Sequence, residues 1–459
     1  MTAHVFREYD IRGVADRDLS DELAERIGRA LAVLLPARKS GEAPRIAVGR
    51  DCRLSSPRLF EQLVHGLIAG GVDVIDIGVG PTPMLYFSVH ALEADGGVMI
   101  TGSHNPAEDN GFKIMRGKAS FFGEDLQRLR ERVEQAPASG RARGSIQTSP
   151  MDEPYLDRLR SAVRIDDASL RVVVDAGNGS AGPIGSRALT AAGLHPTALH
   201  CDMDGTFPNH HPDPTVPENL AELIATVRRE RARVGIAWDG DGDRLGVVDA
   251  SGEIVWGDRL LALFARDVLR ARPGSAVIGE VKCSQSLFDD VARHGGRPIL
   301  WKTGHSLIKT KMKEENALLA GEMSGHFFFA DRYFGYDDGI YAALRLLEIL
   351  AREKKSVGDL LHDLPAGHST PEIRVAVPDA QKFRVVERVR EHFRGKQALI
   401  EIDGVRLSYA DGSWALVRAS NTGPVIVLRF EAPSAERLAE VRAEVEGVLA
   451  AARADATEP

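Results

Sequence analysis

Residues 239–244 read Asp-Gly-Asp-Gly-Asp-Arg and directly follow an apolar run, Val234–Trp238. That order places the aspartates where a strand of an α/β sheet ends and its loop begins, a usual ligand position in such sheets. Glycines between Asp239, Asp241 and Asp243 let the backbone fold tightly and turn three carboxylates toward one point. Carboxylates that close repel one another unless a cation lies between them, and an oxygen-only donor set suits a hard divalent ion, Mg²⁺ before Zn²⁺. A solvated acidic turn or a Ca²⁺ loop would use similar residues, but an EF-hand needs ligands over about twelve residues and a closing Glu. Neither flank of 239–244 supplies that pattern.

A second loop, Thr-Gly-Ser-His-Asn-Pro at 101–106, follows the apolar run 97–100. By itself, Ser103 on a glycine-containing turn reads as a turn or a helix cap. Together, the two loops resemble the α-D-phosphohexomutase superfamily, in particular its bacterial phosphomannomutase/phosphoglucomutase branch. The resemblance implies that Ser103 is carried as phosphoserine and that Mg²⁺ is held by Ser103, Asp239, Asp241 and Asp243. Charge agrees with this: a phosphoserine adds about −1.5 to −2, so without a metal the pocket would hold about five negative charges. A divalent ion offsets that repulsion and polarises phosphoryl oxygens, and Arg244 adds positive charge.

The resemblance extends along the chain from Arg7 to Pro424. Arg7–Gly13, with Tyr9 and Arg12, is similar to the family's N-terminal active-site segment, which implies that Arg12 faces the phosphoserine. Lys113 lies in Asn-Gly-Phe-Lys, another family element, and Lys282 in Glu-Val-Lys-Cys is a looser candidate for substrate contact. Lys302-Thr303-Gly304-His305-Ser306 is similar to a sugar-facing loop. In 321–326, Gly-Glu-Met-Ser-Gly-His, Glu322 and Ser324 are implied to grip sugar hydroxyls; the local reading alone leaves Glu322 open as a structural carboxylate. Arg418, Ser420, Asn421 and Thr422 form a phosphate cradle by composition: a forked guanidinium beside short donors, then Gly423. A hairpin turn would use similar residues. The catalytic set implied is Ser103, Arg12, His104, Lys113, Arg244, His305 and His326. Lys113, His305 and His326 are candidate bases, a lysine in a cationic pocket being open to a downward pKa shift.

These loops need elements to hold them. Residue 21–35 periodicity predicts a helix capped by Ser20, followed by a strand at 45–48, a helix at 57–69, and strands at 72–77 and 98–100. Residues 135–149 read as a linker and 452–459 as a disordered tail. Strands at 171–175 and 234–238, and at 276–281, 297–301 and 317–320, alternate with helices, as parallel sheets do. From about 370 the pattern becomes strand, helix, four short strands and a helix at 434–451. The fold class expected is α/β: three related α/β domains with mixed, largely parallel sheets, plus a C-terminal α+β domain resembling the TATA-binding protein, around a central cleft. The expected boundaries are 1–148, 149–253, 254–366 and 367–459.

At 459 residues the chain exceeds one ordinary core. A net charge of −8 argues against general nucleic-acid or anionic-membrane binding. Cys52, Cys201 and Cys283 are scattered, as in a reduced protein. No signal-peptide pattern or bilayer-length apolar run occurs. A cytoplasmic enzyme acting on hexose phosphates is therefore expected, without an obligate protein partner. It would shift a phosphoryl group between positions 1 and 6 of mannose and glucose, with glucose 1,6-bisphosphate as activator. The competing readings are phosphoglucosamine mutase, a Mg²⁺-dependent sugar phosphatase, and a non-catalytic sugar-phosphate sensor.

Overall fold

Helix Asp21–Leu34 starts where the sequence places it, because the Ser20 side chain accepts from the Leu23 backbone N–H and so satisfies an orphan donor. The computed structural model describes residues 3–35, 38, 42–135, 140–365, 367–421 and 423–457. Its first sheet runs in the order Ile11–Val14, Asp109–Arg116, Gly96–Ile100, Arg45–Arg50, Asp73–Val79, Ile146–Thr148. The second runs Ile254–Val255, Leu245–Asp249, Val234–Trp238, Val172–Asp175, Thr197–Leu199. The third runs Arg297–Trp301, Ala276–Glu280, Leu319–Gly321, Phe327–Phe329. These are α/β units, and the fourth is an antiparallel sheet under helices Asp379–Phe393 and Ala435–Thr457. Ile254–Val255, assigned from sequence to the third unit, pairs with Leu245–Asp249 of the second sheet.

One device recurs in the first three sheets. A parallel strand ends in a functional-looking loop, and the chain then returns at once as an antiparallel neighbour. Gly96–Ile100 is answered by Asp109–Arg116, Val234–Trp238 by Leu245–Asp249, and Leu319–Gly321 by Phe327–Phe329. Each loop is thus pinned at both ends by ladder hydrogen bonds.

Two sequence readings are corrected. The linker at 135–149 contains the strand Ile146–Thr148, which adds in parallel to Asp73–Val79; residues 136–139 lie outside the described residues. The tail is not disordered from 452: helix Ala435–Thr457 continues through it, as alanine-rich sequence favours, and 458–459 lie outside the described residues.

A continuous apolar core runs from Ala47 to Leu364 and joins the first three units, whereas the fourth unit has its own core, including Val385, Leu407, Leu428 and Val445. Among the described residues, no helix is long and apolar enough to cross a membrane.

Candidate active site

The serine loop and the aspartate loop meet at the ends of neighbouring sheets. A Cβ placed on Gly240 would lie 2.4 Å from the Ser103 carbonyl oxygen, so the approach requires glycine. Ser103 is buried and has φ of 51°, a left-handed conformation that costs a non-glycine residue energy and marks functional loops. Arg53 holds it there. This buried guanidinium donates to the carbonyls of Ser103 (2.8 Å), Asn105 (2.7 Å), Asp109 (2.9 Å) and Pro106, and its Nε donates to Asp51. The Ser103 hydroxyl donates to Asp239 Oδ2 at 3.2 Å and lies 3.2 Å from His104 Nδ1.

Asp239, Asp241 and Asp243 are wholly buried, and each has an oxygen within 4.8 Å of one from the others. Lys113 Nζ donates to Asp241 and Asp243, each at 2.6 Å. Thr82, opening the helix Thr82–Ala91, donates to Asp241 through its hydroxyl and its N–H. Asp241 Oδ1 and Asp243 Oδ1 are buried with no hydrogen-bond partner among the described residues. Hard oxygen donors, unsatisfied lone pairs and clustered negative charge fit a divalent cation.

Electrostatics divides these groups. Burial, then the charges of Asp243 and Asp241, push the Asp239 pKa well up. Burial would raise Asp241 too, but Lys113 together with hydrogen bonds from Thr82 and Ser103 outweighs it and the pKa falls. Burial would discharge Lys113, yet Asp241 and Asp243 outweigh that and raise its pKa. The Lys113 pKa is thus shifted up rather than down, because the groups around it are anionic rather than cationic. Burial, then Arg244 and Arg12, hold His104 well below its ordinary pKa, hence neutral.

Arg12 donates to Asp10 (2.7 Å) and to the Asn105 side chain (3.3 Å), beside the serine loop. Arg244 bridges two units: its N–H donates to Asp239 Oδ1 at 3.1 Å and its Nε to His326 Nε2 at 3.0 Å. The acceptor role of Nε2 leaves the His326 ring proton on Nδ1, 3.0 Å from Asp337 Oδ2. His305 stacks on His326 with ring centroids 5.8 Å apart. Neither of its ring nitrogens has a hydrogen-bond partner among the described residues. Burial, then Lys309, keep its pKa well below normal.

The remaining candidate residues come from the third and fourth sheets, with Tyr9 of the first unit against them. Glu322 accepts from the Gly304 N–H at 2.5 Å and from the Ser324 hydroxyl at 3.2 Å. Gly304 has φ of 130°, and a Cβ there would meet the Tyr9 ring at 2.5 Å. Tyr9 joins three units: its hydroxyl donates to the Thr303 carbonyl (2.9 Å) and accepts from Asn421 Nδ2 (2.8 Å). Arg418 is buried and donates to Asp403 at 3.0 Å. Lys382 donates to the carbonyls of Ser420 (2.5 Å) and Gly423 (3.1 Å), which braces that loop. Lys282 pairs with Glu372 at 3.1 Å, while Lys302 is exposed. Thr422 lies outside the described residues.

Sequence reasoning missed Arg53, Thr82, Glu280, Asp337 and Asp403. Glu280 accepts from Thr303 Oγ1 and the Lys282 N–H, each at 2.8 Å. Asp403 also accepts from the Thr303 N–H at 3.0 Å. The signal available was position: Glu280 ends an apolar strand, and Arg53 follows one closely.

Four family models cover this architecture in order. They are described as phosphoglucomutase/phosphomannomutase alpha/beta/alpha domain I (residues 3–139), domain II (153–252), domain III (256–367) and C-terminal domain (372–448). The chain belongs to the phosphoglucomutase/phosphomannomutase family. A phosphomannomutase/phosphoglucomutase of Pseudomonas aeruginosa is 48% identical over 443 residues, covering 96% of this chain and 94% of that protein. A phosphoglucomutase of Neisseria gonorrhoeae is 43% identical, covering 98% and 97%. A crystal structure of a phosphoglucomutase/phosphomannomutase family protein from Burkholderia thailandensis superimposes with a TM-score of 0.91 at 42% identity, covering 98% of each chain. The phosphoglucomutase/phosphomannomutase domains thus span nearly all of the described chain.

Proposed function

We propose that this protein interconverts the 1- and 6-phosphates of mannose and glucose through phospho-Ser103 and a hexose 1,6-bisphosphate. The observation that carries the reading is the contact of Ser103 Oγ with a buried, cation-seeking carboxylate cluster. The ion would be held by Ser103, Asp239, Asp241 and Asp243; Mg²⁺ bound there would neutralise charge and polarise phosphoryl oxygens. Ser103 is the phosphoryl carrier. The bond between its Oγ and phosphorus breaks as the sugar hydroxyl oxygen bonds to phosphorus, and the hydroxyl proton passes to a base.

His305 suits the base role, since it is neutral and neither ring nitrogen is hydrogen-bonded among the described residues. Arg12 and Arg244 balance charge around the phosphoryl group, with His104 against Oγ. Lys113 stays a cation and restrains the carboxylates. Arg418, Ser420, Asn421 and Thr422 grip the phosphate that is not reacting. Glu322 and Ser324 hold the 3- and 4-hydroxyls, which exchange places when the bisphosphate turns over. Tyr9, Thr303 and Gly304 shape that side of the site, and Lys282 and Lys302 border it. Positioning and charge neutralisation supply most of the catalysis, as expected for phosphoryl transfer.

Because the grip avoids carbon 2, kcat/KM for glucose and mannose phosphates is expected to differ by less than about 10³, roughly 4 kcal/mol. Phosphorus NMR with Mg²⁺ and trace glucose 1,6-bisphosphate as activator tests both points. Conversion of glucose 1-phosphate and of mannose 1-phosphate to their 6-phosphates is expected. Free phosphate would indicate a phosphatase, and turnover confined to glucosamine phosphate would overturn the hexose assignment.

A further inference from the structure

A second cluster of metal-ligand type lies outside the cleft. Asp175, His200 and His210 each bring one ligand atom within 4.8 Å of the others. Asp175 ends the strand Val172–Asp175, and His200 follows the adjacent parallel strand Thr197–Leu199. Both therefore project from carboxyl ends of parallel strands, where α/β sheets collect ligands.

The side chains are preset. The Nδ1 of His210 faces the His211 carbonyl at 3.0 Å, the outer contact that fixes a metal-binding imidazole. Its Nε2 is left facing Asp175, 3.1 Å from both carboxylate oxygens. His200 has φ of 49°, so its backbone is held in the left-handed region without being glycine. Its Nε2 lies 3.0 Å from Glu222 Oε2. Asp175 also accepts from the Gly177 N–H at 2.9 Å. Tetrahedral zinc with bonds of about 2.0–2.2 Å spaces its ligands by roughly 3.3 Å, close to the His210–Asp175 separation.

We infer that Asp175, His200 and His210 form a second divalent-metal site, selective for a borderline ion such as Zn²⁺. Two imidazoles and one carboxylate favour zinc over Mg²⁺, whereas the aspartate loop is oxygen-only. The two sites sort ions by donor chemistry. The second is structural in effect: Pro212, two residues beyond His210, accepts from the Gly240 N–H at 3.1 Å. An ion there staples the loop around 204–213 to the sheet and stiffens the aspartate loop from behind. Without an ion, the same contacts are met if His210 carries both ring protons and pairs with Asp175, and this is the competing state.

The test titrates Zn²⁺ into full-length protein held in excess Mg²⁺, by calorimetry, with Co²⁺ d–d absorption as a parallel probe. One Zn²⁺ per chain is expected, with a rise in melting temperature. His200→Asn keeps a residue tolerant of the left-handed region, and His210→Gln removes the second imidazole. Each is expected to weaken Zn²⁺ by more than the roughly 10–100-fold that outer-contact changes cost, with unchanged circular dichroism. Equal Zn²⁺ isotherms in wild type and either folded variant would overturn the inference. So would wild-type Co²⁺ bands that are absent in excess Mg²⁺, or Zn²⁺ binding that disappears in Asp241→Asn. The wild-type Co²⁺ spectrum decides even if the variants fail to fold.

Discussion

At the scale of single residues, charges placed in apolar surroundings set the behaviour. Lys113 is the protein's own counter-ion to Asp241 and Asp243. Lys113→Met leaves two buried carboxylates uncompensated, and breaking such a pairing costs about 3–5 kcal/mol. Denaturant unfolding of the metal-free variant is expected to show that loss, and added Mg²⁺ to recover much of it. No recovery by Mg²⁺ would contradict a cation site at these carboxylates. His90 acts differently. Its ring packs on Phe334 and Tyr336; burial, then Lys118 and Lys313, push its pKa from 6.5 down to about 4. The folded state therefore binds this proton less readily than the unfolded chain does. The stability gained is present above pH about 6.5 and drains away as pH falls toward 4. The ring is partly exposed, which dampens the effect. His90→Leu is expected to flatten that acid limb in melting temperatures taken from pH about 7.5 to 4.5; an unchanged limb would assign it to other groups.

At the scale of elements, the strand–loop–return-strand device governs how finely the chemistry is set. Gly240→Ala pushes a methyl against the Ser103 carbonyl. Such overpacking costs about 1–3 kcal/mol; if it falls on catalytic alignment, kcat drops by roughly 10- to 100-fold with the fold retained. Wild-type kcat in the alanine variant would mean that the two loops move independently. The parallel strands and the Ser20-capped helix were legible because their apolar periodicity is local. The return strand Asp109–Arg116 was not: it opens Asp-Asn-Gly, turn chemistry by sequence, and is strand because Ile11–Val14 and Gly96–Ile100 pair with its two edges. Helix Thr82–Ala91 was illegible for the opposite reason. It is buried almost all round, so it has no polar face to reveal a period. The site was readable in its motif loops but not in its supports. Arg53 hydrogen-bonds the Asn105 carbonyl 52 positions away, and no local pattern announces a contact made by folding.

At the scale of the whole molecule, the fourth unit has its own core beside the shared core of the first three, with a small apolar seam of Val281, Trp414 and Leu416 between them, so the proposed phosphate-gripping residues and the serine stand in different units. The Tyr9 hydroxyl ties them together through Thr303 and Asn421. Tyr9→Phe removes two hydrogen bonds worth about 1 kcal/mol each. It is expected to raise KM by roughly 5- to 30-fold and to increase the radius of gyration in scattering without ligand. An unchanged KM and scattering profile would mean that the fourth unit is held by its other contacts. The Tyr9–Asn421 bond spans 412 positions, so it cannot form until every residue between them has been synthesised. Multi-unit chains fold from the N-terminus as they leave the ribosome. The serine and the carboxylate cluster belong to sheets whose last strand, Ile254–Val255, is made well before Asn421. The nascent protein can thus bring the serine and aspartate loops together before it makes Arg418 and Asn421, the residues proposed to grip the distal phosphate.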